Sequence, residues 1–134
     1  MVQPEIDVPH HEPLSGTIVC RLEGELVASN AAQTRSVMTT LLIHDRVVLD
    51  LSGIPFIDSA GLGAVIGGIR RIREHGGRIV LSSCRPGVER LLRTVGLDRI
   101  VLLVHDLDEA RAALDDRQMD ATPVAAGPRA TVRN

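Results

Sequence analysis

The residues best suited to chemistry lie together in Asp58-Ser59-Ala60-Gly61-Leu62-Gly63. A hydroxyl stands beside a carboxylate, with small residues after it, so backbone from another molecule has room to approach. Four kinds of site use such groups. A dinucleotide loop fails on spacing, because Gly67 comes one residue too late after Gly61 and Gly63 for G-x-G-x-x-G. Ser82 and Ser83 also stand where that site needs an acid. A nucleophilic serine fails on its motif, because Ile57 occupies the first glycine position of G-x-S-x-G. His105 would have to serve as its base, in a chain short for that fold. A phosphoaspartate acceptor at Asp50 needs a nearby lysine, and the chain has none. The fourth is a phosphoacceptor hydroxyl at Ser59. Phosphate adds about −1.5 to −2 charges and three acceptor oxygens, which a helix N-terminus tolerates and a partner packed over it does not. A plain helix cap accounts for the same serine more simply, so the residues alone leave switch and cap both open.

Positioning that hydroxyl requires a strand before it and a helix after it. Val47-Val48-Leu49-Asp50-Leu51 reads as a buried strand and Ser52-Gly53-Ile54-Pro55 as a turn. Leu62, Val65, Ile66, Ile69 and Ile72 recur at helical spacing up to about Glu74, where His75-Gly76-Gly77 stops the pattern. Asp58 is the expected N-cap, with Ser59 the second choice.

The same periodicities predict the rest. Thr17 to Glu23 is a strand, and Ser29 or Asn30 caps a helix from Ala31 to Ile43 that buries Met38, Leu41 and Leu42. A strand follows at Arg78 to Ser82. Pro86 opens a helix with Val88, Leu91, Leu92 and Val95 on its buried stripe, ended by Gly96. Ile100 to Val104 reads as a strand. Asp106 and Glu109 then open a short helix to Leu114, buried through Leu107, Ala110 and Leu114. Alternating apolar strands and amphipathic helices imply an α/β fold with a mixed, largely parallel sheet of four to five strands and about four helices. A first segment, residues 1–16, holds Pro4, Pro9 and Pro13 with room for one edge strand near Glu5 to Val8. The domain is expected over 5–114. From Arg117 the periodicity is gone, and 118–134 is expected to be a disordered tail.

Composition narrows the function classes. Net charge is −2, so no bulk field recruits nucleic acid or anionic membrane. Phe56 is the only aromatic residue, which weakens readings that stack bases or sugars on rings. All fifteen basic residues are arginine. Arg70, Arg71, Arg73, Arg78, Arg85, Arg90, Arg93 and Arg99 cluster on two predicted helices and around them, as solvated faces or as a docking face for an acidic partner. Cys20 and Cys84 form no metal or redox motif, and the histidines, including the pair His10-His11, are not spaced as ligands. Neither metal nor cofactor is expected. No apolar run approaches a membrane span, and the opening lacks a basic segment followed by an apolar one, so a cytoplasmic location is expected.

The chain resembles the STAS domains, and within them the bacterial anti-sigma factor antagonists, over about residues 5 to 114. The resemblance rests on Gly24-Glu25-Leu26, Val48-Leu49-Asp50-Leu51-Ser52 and Phe56-Ile57-Asp58-Ser59-Ala60-Gly61-Leu62-Gly63. Gly76-Gly77 and Gly96-Leu97 support it. It implies a non-enzymatic regulator whose partner is an anti-sigma factor that is also a serine kinase. Ser59 would be the phosphorylated residue, Asp58 would position the acceptor, and a PP2C-type phosphatase would remove the phosphate. The docking face expected is Gly24, Glu25, Val27, Ser29, Ser59, Ala60, Gly63 and Gly67. Val27 departs from the family, which commonly has an acid there. A STAS scaffold in another assembly (a stress-signalling complex or lipid transport) and a small-ligand or nucleotide sensor are the alternatives.

Overall fold

The computed structural model describes residues 16–115. The expected edge strand near Glu5 to Val8 and the tail 118–134 lie outside the described residues.

Four strands form one sheet in the order β1 (Thr17–Glu23), β2 (Arg46–Gly53), β3 (Arg78–Ser82), β4 (Leu102–Val104), and every neighbouring pair is parallel. Helices α1 (Ala31–Thr40), α2 (Ser59–Glu74), α3 (Pro86–Thr94) and α4 (Leu107–Asp115) follow the strands in turn. The first three connect adjacent strands in sequence, and right-handed crossovers put all of them on one face. Met38 and Leu41, Val65, Ile69 and Ile72, and Val88 and Leu92 pack there on Ile18, Cys20, Leu22, Leu49, Leu51 and Leu81. α4 covers the other face, with Ala110 and Leu114 on Val19, Val48, Val80 and Val104. Because β2 is central and covered on both sides, Val47 through Leu51 is buried without alternation.

Three local expectations change. The helix over 31–43 is α-helical only to Thr40 and tightens to a 3-10 turn at Leu41–Ile43, leaving Ile43 exposed and Leu42 half-buried. The last strand starts at Leu102 rather than Ile100. Gly96, in the left-handed region at φ +83°, turns the chain into a 3-10 turn at Leu97–Arg99. The Leu97 carbonyl then accepts from the amides of Ile100 (3.0 Å) and Val101 (3.1 Å), which are thereby lost to the sheet. Val95, expected on the buried stripe of α3, lies past the last turn and is 49% exposed.

Burial pushes the Cys20 thiol up to about 12 and the Cys84 thiol up to about 11, so neither is a nucleophile near neutral pH. Among the described residues, no group of His, Cys, Asp and Glu could hold a metal, and no helix is long and apolar enough to cross a membrane.

Candidate functional site

Ser59 is the first residue of α2 and is exposed. The cap is Asp58, as its position predicts. Its Oδ1 accepts from the Gly61 amide at 2.9 Å, while Oδ2 accepts from the Ala28 amide at 3.1 Å. One carboxylate therefore closes the helix N-terminus and holds the loop that follows β1. The Gly61 amide, helped by those of Ala28 and Ala60, holds the Asp58 carboxyl below its usual pKa against the opposing effect of desolvation.

Backbone contacts complete this junction. The Leu26 amide donates to the Phe56 carbonyl (3.1 Å), and the Asp58 amide donates to the Leu26 carbonyl (3.0 Å), pairing Leu26 with Ile57 in a parallel bridge. Gly24, at φ +89°, turns out of β1 and donates to the Gly53 carbonyl at 3.0 Å. Asn30 fixes the far end of the loop. Buried to 2% exposure, it accepts from the Val27 amide at 3.0 Å and donates to the Glu25 carbonyl at 2.7 Å. Asn30 precedes α1 as expected, but its side chain makes no cap bond to that helix. It organises the loop instead. The loop-holding roles of Leu26 and Asn30 are thus what sequence reasoning missed.

The expected docking residues divide into two groups. Gly24, Glu25, Val27 and Ser29 lie on the loop, where Glu25 and Ser29 are exposed and Gly24 and Val27 half-buried. Ser59, Ala60 and Gly63 lie on the adjoining first turns of α2, and Gly67 sits a turn further along, beyond the loop. The α2 glycines have two different surroundings. A Cβ on Gly61 would run into the Leu26 carbonyl, and one on Gly68 would meet the Met38 side chain at 2.5–2.7 Å. A Cβ on Gly63 would meet nothing within 4 Å, and one on Gly67 only the Arg71 guanidinium at 3.9 Å. Packing against the protein's own β1 loop and α1 therefore explains Gly61 and Gly68 and does not explain Gly63 or Gly67. Phe56, the lone aromatic side chain, is 51% exposed at the same end of α2.

Asp58→Ala removes the cap and the loop tether together. The expected result is a melting temperature a few degrees lower at pH 7. Because the folded pKa is depressed, this stabilisation is present above the unfolded value near 4 and is lost as pH falls through the folded one. The gap between wild type and variant should therefore close below about pH 4. Thermal melts at pH 7 and pH 3 check this, and a gap of constant size would remove Asp58 ionisation from the account.

The STAS domain family model matches residues 5–110. An anti-sigma F factor antagonist of Paenibacillus polymyxa is 32% identical over 100 residues, covering 72% of this chain and 83% of that protein. The crystal structure of Thermotoga maritima TM1081 superposes with a TM-score of 0.73 at 26% identity, over 84% of this chain and 95% of that one. Bacillus SpoIIAA in its phosphorylated form shares the fold at a TM-score of 0.60 and 24% identity, over 82% of this chain and 96% of that one. The family match over most of the chain, the 32% identical relative and the parallel four-stranded sheet place this protein in the STAS domain family, among the anti-sigma factor antagonists.

Proposed function

We propose that this protein binds an anti-sigma factor that is also a serine kinase, frees the sigma factor it holds, and is released when the kinase phosphorylates Ser59. A PP2C-type phosphatase acting on phospho-Ser59 restores the binding form. The observation that carries this reading is the placement of an exposed hydroxyl at the first position of a capped helix. It stands between a tethered loop and an open glycine face. Phosphate at that position leaves the fold intact, since the hydroxyl is exposed and a helix N-terminus tolerates an anion. A partner lying across Ser59 would have to desolvate a group of charge about −1.5 to −2. Every 1.4 kcal/mol of that cost lowers affinity about tenfold. One hydroxyl thus turns a complex off with no change in the domain. The protein acts by binding and not by turnover, and neither metal nor cofactor enters the reading.

The test is a capture experiment from native lysate with Ser59→Ala and Ser59→Asp baits. The Ala bait is expected to retain a protein with a kinase-type ATP site that the Asp bait loses, by about 100-fold or more. Incubation of that protein with ATP should phosphorylate wild type and leave Ser59→Ala unmodified. Equal capture by both baits would remove Ser59 from recognition and move the protein to a scaffold role in another assembly.

A further inference from the structure

The outward line of α2 continues past its glycines into charge. At 100° per residue, Arg70 falls on the same line as Ser59 and Gly63, about 16 Å further along the axis, and Arg71 flanks Gly67. Helical side chains lean toward the N-terminus. The Arg71 Nη1 accordingly lies 3.9 Å from the place of a Gly67 Cβ, over the glycine face.

Several other arginines have carboxylate partners. Arg21 pairs with Glu23 at 3.1 Å, Arg46 with Asp115 at 2.9 Å, and Arg93 with Glu89 at 2.9 Å and Asp98 at 3.3 Å. Arg70 and Arg71 make no side-chain hydrogen bond or ion pair with any described residue. α2 carries Arg70, Arg71 and Arg73 and no acid before its final residue, Glu74. The helix macrodipole favours cations in a last turn. It does not explain an outward face without acids, when α3 balances Arg93 with Glu89 on its own surface.

We propose that Arg70 and Arg71 receive an acidic patch on the same protein partner that covers Ser59, which rests on the function proposed above. The contact would have a phosphate-sensitive end at Ser59 and a cationic end at Arg70 and Arg71. Reversing the partner along the helix would carry its acids away from Arg70 and Arg71, so the charges fix its direction as well as adding affinity.

The experiment extends the capture assay. Arg70→Glu/Arg71→Glu is added to the Ser59→Ala bait, and Arg90→Glu/Arg99→Glu, exposed positions on and after α3, serves as control. The protein that distinguishes Ser59→Ala from Ser59→Asp is identified, purified and measured by calorimetry. The expected result is a Kd raised at least about tenfold by the α2 pair and unchanged by the control pair. Binding of the Ser59→Ala protein should weaken from about 50 to 500 mM salt, and the residual binding of the α2 variant should not. An Asp or Glu of the partner changed to Arg should recover part of the loss. Melting curves verify folding, and Arg70→Gln/Arg71→Gln gives the neutral step. Ser59-dependent binding indifferent to both α2 variants would overturn this inference and leave the proposed function standing. Capture indifferent to Ser59 itself would overturn the proposed function, and this inference with it.

Discussion

Gly61→Ala is expected to destabilise the protein by about 2–3 kcal/mol, whereas Gly63→Ala, the same change two residues on, stabilises it by up to about 1 kcal/mol. Both glycines lie inside α2, where alanine is intrinsically better by about 1 kcal/mol. Their surroundings set the sign. A Cβ on Gly61 meets the Leu26 carbonyl group, with its carbon at 2.5 Å and the Leu26 Cβ at 2.9 Å. These atoms cannot swing aside. The Leu26 carbonyl accepts from the Asp58 amide and its own amide donates to Phe56, so relief of the clash pulls on the bridge between Leu26 and Ile57. Overpacking of about 1–3 kcal/mol is usual where side chains can adjust. Here backbone must move, so the cost lies at the upper end and exceeds the propensity gain. The same movement draws Ala28 away from Asp58. Urea midpoints at constant m report both signs. Equal midpoints for the two variants would show that Leu26 does not pack on α2 as described.

The contrast between these glycines marks how much the sequence could disclose. Asp58 could be assigned as a cap because its chemistry is local, a carboxylate four residues before the first member of a helical apolar pattern. The strands and α2 were legible for the same reason, since their periodicity belongs to one segment at a time. The parallel order followed from alternation of element types. Non-local facts were not legible. Nothing in Gly61-Leu62-Gly63 says which glycine faces Leu26, more than thirty residues earlier. Asn30 looked like a helix cap because asparagine before a helix usually is one, but the β1 loop claimed its side chain for Val27 and Glu25. Ile100 looked like strand because it is β-branched and apolar, and the turn begun at Gly96 took its amide. In each case a local propensity lost to a partner that sequence spacing does not reveal. The surroundings of Gly63 and Gly67 needed the fold to be decided.

Gly63→Leu should separate folding from recognition. In the free protein the added side chain enters open space, since among the described residues nothing beyond its own helix turn stands within 4 Å of a Cβ at that position. Helix propensity then improves by somewhat less than 1 kcal/mol, and the urea midpoint should hold or rise. On the proposed docking face the outcome is opposite. Gly63 lies one turn beyond Ser59, where a partner covering the hydroxyl also meets the helix backbone. A leucine there fills the gap that glycine leaves. The partner must retreat, losing close contact along the turn, or distort at an overpacking cost of about 1–3 kcal/mol. The expected weakening is roughly 5- to 150-fold, with most of the change in dissociation rate. The measurement uses the partner identified through Ser59→Ala, with Gly63→Leu in the same background so that phosphorylation cannot contribute. Gly63→Ala, a smaller intrusion, should fall between. Loss of binding together with a lower urea midpoint would return Gly63 to a structural role, and intact binding with intact folding would move the docking face off this turn of α2.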